Sequence, residues 1–166
     1  MCAYTHQIRI CQRLCAIGYV IGGRTPNGAL AIHAGGRGDV SASHVVWKAG
    51  KGSNVPSPIL HESHLYFAHE NLGIAYCLNA KTGEVAHEEC LDPNPGQIYA
   101  SPMLADGRIF YTGRGGRTVV VAASPKFEEL AENTLESNRG VFNSTPAIAG
   151  PHLLLRSNRA LYCIGR

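Results

Sequence analysis

A histidine-rich tetrapeptide is the first segment of the chain whose residue types could do chemistry. His61, Glu62 and His64 place two imidazoles and a carboxylate within four residues. A zinc protease helix needs its two histidines four positions apart, with the glutamate after the first, because that spacing puts both imidazoles on one helical face. Here the histidines are three positions apart. We therefore interpret the tetrapeptide as a hairpin turn and not as a zinc site.

Cysteines are the second possible source of chemistry. The chain contains six of them: Cys2, Cys11, Cys15, Cys77, Cys90 and Cys163. Cys11 and Cys15 could be half of a metal site, but no second Cys or His pair follows at zinc-finger spacing, so no metal ligand is predicted. Cys77 corresponds in an internal repeat to Val121 and Cys163. A position that accepts both Cys and Val is predicted to be an apolar packing position.

Nucleophilic and acid–base catalysis also lack a basis in the sequence. No serine occupies a nucleophile elbow, and Ser57 and Ser101 are each followed by proline within a repeat. The carboxylates fall mostly in predicted turns, so no acid–base pair can be assigned. We expect no catalytic residue, no cofactor and no metal.

Three cation-capable residues recur at a fixed interval. His64, Arg108 and His152 are each separated by 44 residues. If the interval reflects a structural repeat, the three side chains lie on one edge of the molecule and form a possible partner-contact edge for an acidic protein. The alternative is that a polar residue simply opens the second strand of each repeat.

The repeat that positions these residues is marked by a short sequence motif, the Ser/Thr-Pro phrase, which occurs three times. It reads SPIL at 57–60, SPML at 101–104 and TPAI at 145–148, again at intervals of 44. Each copy precedes a polar turn and an apolar, β-type run. A fixed period in the forties, filled with short strands, is typical of propeller blades. We predict an all-β fold, a partial β-propeller of four-stranded antiparallel blades.

The repeat also divides the chain. The segment 1–28 matches nothing in the repeat and is left unassigned, and 29–166 is predicted to hold the blades. These are half a blade at 29–48, four-stranded blades at 55–90 and 97–131, and a three-stranded blade at 141–165. Rings typically have about four to eight blades, so we expect a truncated propeller. Its open blade edges would invite self-association.

Composition excludes several classes of function. The chain has 166 residues, of which 45% are hydrophobic and 16% charged, and its formal net charge is +3. The basic residues are scattered, whereas phosphate binding needs clusters, so no nucleic-acid partner is predicted. No apolar stretch reaches the roughly 18 residues of a membrane span. The short apolar run 14–21 has the outline of a signal peptide, but we do not predict one and leave the compartment open.

The segment GIAYCLNAKTGEV at 73–85, with Leu65-Tyr66 before it, resembles the repeat of the PQQ-like (quinoprotein-type) β-propellers. In that family a short aromatic strand precedes a strand ending in Ala-Leu-Asp-Ala-x-Thr-Gly, and a docking Trp follows. The resemblance extends over about 29–165. It is closest to non-enzymatic bacterial members related to the outer-membrane assembly lipoprotein. It implies binding or scaffolding of proteins and suggests the periplasm or cell envelope.

Departures from the family pattern limit what the resemblance implies. Asn79 replaces the usual Asp, and His87 stands where the docking Trp would be. The vicinal Cys pair of the quinone-dependent dehydrogenases is absent from the sequence, and no cofactor ligand of the family maps onto a matching position. We therefore predict a non-catalytic repeat module that binds or scaffolds proteins. The alternative is a remnant of a PQQ-dependent quinoprotein dehydrogenase.

Overall fold

The fold is all-β, as the repeat predicts. The computed structural model describes residues 10–14, 17–22, 28–135 and 140–165. Within these residues there are fifteen strands and no helix. The strands form four antiparallel sheets, and in each sheet the spatial order follows the chain. These sheets are the blades, named here from first to last.

The first three blades have four strands each, and the last has three. The first comprises β1 (Ile10–Leu14), β2 (Ile17–Ile21), β3 (Ala29–His33) and β4 (Val45–Ala49). The second comprises β5 (Ile59–His61), β6 (His64–Ala68), β7 (Ile74–Asn79) and β8 (Val85–Cys90). The third comprises β9 (Met103–Ala105), β10 (Arg108–Thr112), β11 (Arg117–Ala122) and β12 (Glu129–Thr134). The last comprises β13 (Ala147–Ala149), β14 (His152–Arg156) and β15 (Leu161–Ile164).

The first blade corrects one expectation. We predicted half a blade at 29–48 and left 1–28 unassigned, but β1 and β2 lie in the same sheet as β3 and β4. In β2, Tyr19 and Ile21 alternate with Gly18 and Val20, and they enter the core opposite Ala31 and Ala29. This alternation of period two is the strand signal. The segment was not recognised as a strand because it lacks the Ser-Pro motif. The rest of the predicted division of the chain stays a prediction.

The first strand of the second blade starts later than the predicted bound of that blade. We predicted a blade from position 55, but β5 begins only after Pro58. Proline has no N–H and cannot donate to a sheet ladder. The N–H of Ser57 instead donates to Ser101 Oγ in the next blade, at 2.9 Å. The Ser/Thr-Pro phrase is thus a connection between blades and lies just before the innermost strand.

Consecutive blades pack face to face. Leu65 and Phe67 on β6 enter one core cluster together with Tyr19, Ile21 and Trp47 of the first blade. Because side chains alternate along a strand, the residues between them must face the third blade.

The opposite face of the second blade builds the next core layer. Tyr66 and Cys77 pack there with Ile109, Tyr111 and Val119 of the third blade. Tyr66, Cys77 and Tyr111 are at most 1% exposed. The second blade is therefore buried on both faces, as a blade within a propeller must be.

Candidate partner-contact surface

A ladder of hydroxyl hydrogen bonds sets the register between blades. Ser57 N–H donates to Ser101 Oγ at 2.9 Å, and Ser101 N–H donates to Thr145 Oγ1 at 3.2 Å. The repeated phrase therefore supplies an acceptor to the preceding blade and a donor to the following one. These bonds hold equivalent positions of successive blades at a constant offset.

Outer strands add a second contact between blades. Trp47 on β4 is 8% exposed, and its Nε1 donates to Ala80 O of the second blade at 3.0 Å. Its indole lies so close to Gly83 that a Cβ there would be 2.6 Å from Trp47 Cε3. Gly83 also has a φ of 76°, a conformation that glycine adopts at low cost. The Thr-Gly turn is thus the docking site of the tryptophan.

His87 occupies the equivalent position on β8. Like Trp47 it stands beside a β-bulge, opposite Cys77. Its Nδ1 lies 3.1 Å from Pro125 O of the third blade, and its ring meets that of Phe127 edge-on at 5.3 Å. Burial lowers the pKa of His87. We conclude that His87 docks one blade onto the next as the tryptophan does.

Cys77 is a packing residue, as predicted, but its equivalents need correction. Cys77 pairs with Tyr66 in the sheet, and the same register places Val120 and Cys163 at the equivalent positions of the next two blades. The reason is that the turn after β10 is one residue shorter than the turn after β6, and the turn after β14 is one residue shorter again. Val121 therefore faces the other side of its blade. Burial raises the pKa of the Cys77 thiol to about 11, although a hydrogen bond with Tyr66 opposes the shift. Cys163, by contrast, is exposed.

Glu70 is a buried carboxylate in the turn after β6, and it holds the segment that enters its blade. It accepts hydrogen bonds from Ser53 Oγ at 2.8 Å, from Asn54 Nδ2 at 2.7 Å and from Asn54 N at 3.1 Å. Burial alone would raise its pKa, but the bonds from Asn54 and Ser53 outweigh that effect and lower the pKa to about 2. The sequence indicated only a turn here.

Arg114 is the counterpart of Glu70 in the third blade. Its Nη1 donates to Gln97 Oε1 at 2.7 Å and its Nε to Asn143 Oδ1 at 3.0 Å, while its guanidinium lies 4.5 Å above the ring of Tyr99. Its charge is therefore used within the chain, to connect the segments that lead into the third and last blades. This end of the blades is called the linker end.

The opposite end carries the predicted edge. His64, Arg108 and His152 are the first residues of β6, β10 and β14, and each pairs with the last residue of the preceding strand in its blade. Arg108 is exposed, and the two histidines are half-buried. These three residues are called the hairpin edge. The structure places them in one register, as the spacing predicted, and whether they bind a partner stays a prediction.

Neither a cluster of metal-ligating side chains nor a membrane-spanning helix occurs in the described ranges. Residues 10–14, 17–22, 28–135 and 140–165 contain no group of three or more His, Cys, Asp or Glu that could hold a metal ion. Over the same ranges no helix is long and apolar enough to cross a membrane.

Four consecutive meander sheets, packed face to face with docked outer strands, define a fold of the β-propeller class. The chain is similar in structure to BamB from Moraxella catarrhalis, with a TM-score of 0.67 and 15% sequence identity. The similarity covers 91% of this chain and 44% of BamB, so the chain spans less than half of that protein. No family model matches the sequence, and no curated protein matches it. The likeness to BamB shows the fold.

Proposed function

We propose that the chain is a non-catalytic propeller module that binds an acidic protein partner through the hairpin edge. The observation that carries the proposal is that the side chains of His64, Arg108 and His152 make no hydrogen bond or ion pair with the part of the chain that the structure describes. At the linker end, by contrast, two arginines are engaged within the chain. Arg117 Nε pairs with Glu132 Oε1 at 3.1 Å, and the guanidinium of Arg114 is bonded as described.

The hairpin edge is also rigidly supported. Leu65 and Ile109, the next residues of β6 and β10, are 1% and 0% exposed. Because the backbone at these positions is already fixed, binding has to order only the side chains and not a loop, which limits the entropy cost. Arginine is also enriched at the energetic centres of protein interfaces. Arg108 is therefore the residue of the edge that we expect to contribute most to binding.

We also propose that the chain belongs to the PQQ-like repeat family, which the fold and the residues of the β7–β8 turn support. Asn79 replaces the family Asp, yet its Oδ1 accepts hydrogen bonds from Lys81 N at 2.9 Å and Thr82 N at 3.3 Å. An Asn can serve such a turn as well as an Asp. The similarity to BamB relates the arc to a propeller and to no particular chemistry, so the proposed protein-binding role rests on the hairpin edge.

The test is a comparison of charge variants in an extract of the source cells. Tagged wild-type chain, Arg108→Glu, and the matched control Arg159→Glu at the linker end are cross-linked, and captured proteins are quantified by mass spectrometry. We expect at least one protein that the wild type and the control capture and that Arg108→Glu loses, with capture weakening at high salt. Equal capture by all three chains would refute the proposed edge.

The dehydrogenase alternative has its own test. A tightly bound cofactor stabilises the folded state by mass action. PQQ with Ca²⁺ is therefore added to the full chain, and the melting temperature is compared with that in Ca²⁺ alone. No shift is expected for a non-catalytic module. A saturable rise with PQQ would favour the dehydrogenase remnant.

A further inference from the structure

The connection between β3 and β4 is longer than its counterparts in the next two blades. It comprises eleven residues, 34–44, whereas β7 and β8 are joined by five, 80–84, and β11 and β12 by six, 123–128. The extra residues form an insertion, called here the 34–44 loop, because the same backbone hydrogen bond closes all three connections. These bonds run from His33 N to His44 O, from Asn79 N to Glu84 O and from Ala122 N to Glu128 O, at 2.8, 2.8 and 2.9 Å.

The 34–44 loop lies at the end of the blades that carries the hairpin edge. In an antiparallel meander, the connection between the first and second strands and the connection between the third and fourth strands lie at the same end. Two hydrogen bonds show this arrangement: Ala80 N–H donates to Ser63 O in the second blade, and Ala123 N–H donates to Gly107 O in the third, both at 2.8 Å. The loop of the first blade therefore belongs to the same end of the molecule as the hairpin edge.

The 34–44 loop has a folded conformation of its own. The N–H groups of Ser43 and His44 both donate to Val40 O, at 3.1 and 2.9 Å, and Val40 is half-buried. Ser43 Oγ lies 2.7 Å from His44 Nδ1, and Asp39 Oδ1 accepts a hydrogen bond from Ser41 N at 2.9 Å. A partner would not have to order the backbone of this loop, which limits the entropy cost of binding.

Arg37 is the arginine of this loop. Its side chain is exposed and makes no hydrogen bond or ion pair with the part of the chain that the structure describes. Asp39, two positions away, is bonded to the N–H of Ser41 and not to Arg37. Arg37 therefore shares with Arg108 the property on which the proposed hairpin edge rests. Loops that extend from a rigid scaffold commonly carry binding residues.

We propose that the 34–44 loop is a second contact element for the acidic partner, and that Arg37 pairs with a carboxylate of the same protein that the hairpin edge binds. This inference rests on the proposed function, because it extends that contact to the first blade. Packed sheets lie about 10 Å apart, so the loop and Arg108, two blades further on, are separated by roughly 20 Å. A small anion cannot span that distance. The partner is therefore a protein whose acidic surface is at least about 20 Å wide.

The first experiment adds Arg37→Glu to the capture comparison of full chains in the extract. Arg37→Glu should lower the capture of the protein that Arg108→Glu loses at least about threefold, because charge reversal replaces attraction by repulsion. Arg159→Glu should capture that protein like the wild type. If Arg37→Glu retains a protein that Arg108→Glu loses, the loop is not a contact element and the hairpin edge stands. If Arg37→Glu loses a protein that Arg108→Glu retains, the two surfaces share no partner. Equal capture by all four chains would refute both proposals.

A second experiment separates direct contact from an effect on folding. In one variant the sequence of 80–84 replaces the 34–44 loop, together with His33→Asn, which supplies the residue that precedes this turn in the second blade. Because the same hydrogen bond closes both turns, this variant should melt within about 4 °C of the wild type and should lose the partner at least as fully as Arg37→Glu.

A photo-reactive benzoylphenylalanine tests the contact in a chain that keeps the loop. Placed at the exposed Ala42, it should cross-link the protein that Arg108→Glu loses. Placed at Leu72, which is 54% exposed in the turn after β6 at the linker end, it should not. A stable loop-replacement variant that retains the partner would overturn the proposal, and so would a set of Ala42 cross-links that lacks it.

Discussion

Replacing Glu70 by glutamine tests whether a buried carboxylate stabilises the junction between the first and second blades. Glu70 is 4% exposed and accepts three hydrogen bonds from Ser53 and Asn54. The amide introduced by Glu70→Gln could accept only through its oxygen, and its NH₂ group would face a donor. We therefore expect the variant to fold less stably at neutral pH, because a buried donor left without an acceptor is costly.

The magnitude follows from the pKa. The pKa of Glu70 lies at about 2 in the folded chain, against an ordinary value of 4.5. Each pKa unit corresponds to about 1.4 kcal/mol, so the ionised carboxylate contributes roughly 3 kcal/mol to the free energy of unfolding. Because the folded-state pKa is the lower one, this contribution is present above about pH 4.5 and is lost as the pH falls towards 2. Roughly half of it should remain at pH 3.

The assay is urea denaturation at pH 7 and pH 3, followed by the fluorescence of Trp47, the single tryptophan of the chain. Glu70→Gln should lose about 2 to 3 kcal/mol at pH 7, and the difference from wild type should shrink by about half at pH 3. The control is Glu62→Gln, whose glutamate side chain is 80% exposed, and it should stay within about 0.5 kcal/mol of wild type. A Glu70→Gln chain as stable as wild type at pH 7, or a difference independent of pH, would refute the reasoning.

Variants at Gly83, Ser101 and His87 probe the contacts between blades. Gly83→Ala and Gly107→Ala both place a side chain at positive φ, 76° and 67°, but only the first would meet Trp47. In urea denaturation we expect the free energy of unfolding to fall by about 1 kcal/mol for Gly107→Ala and by about 2 to 4 kcal/mol for Gly83→Ala. Equal losses in the two variants would contradict the docking contact. Ser101→Ala removes a hydroxyl acceptor of the ladder and should lower the free energy of unfolding by about 1 to 2 kcal/mol. Ser101→Thr keeps a hydroxyl and should retain most of the wild-type stability. If Ser101→Ala loses no stability in thermal denaturation, the ladder is dispensable. Burial lowers the pKa of His87 from its ordinary value of 6.5, so the wild type should lose stability as the pH falls below about 6.5, and His87→Leu should lose less between pH 7 and 5. An unchanged pH dependence in that variant would argue against a neutral, docked imidazole.

The sequence predicted what depends on periodicity. The 44-residue interval identified the blades and placed His64, Arg108 and His152 in one register, because equivalent strands repeat the same pleat and hydrogen-bond pattern. It misplaced the counterpart of Cys77 by one residue. The turns after β10 and β14 each lack a residue relative to their predecessor, and a shift of one position in a strand moves a side chain to the opposite face.

What the sequence did not predict depends on contacts between segments distant in the chain. Glu70 sits in a polar turn, and its neighbours along the chain do not indicate that Ser53 and Asn54 return to cover it. The docking role of Trp47 was not predicted from the sequence either, since its hydrogen-bond acceptor, Ala80 O, belongs to the next blade. Local patterns report on faces and turns, whereas these interactions arise only once the blades are stacked.

The hydroxyl ladder has a consequence for how such a chain can grow. Each Ser/Thr-Pro phrase carries both halves of the contact, a donor for the blade that follows and an acceptor for the blade that precedes. A tandem duplication of one 44-residue unit therefore introduces a blade whose bonds to both neighbours are matched at once, without any compensating substitution. Stability in such stacks is approximately a sum of unit and nearest-neighbour contributions. The ladder itself therefore sets no limit on the number of blades, provided that the hydroxyl recurs in each unit.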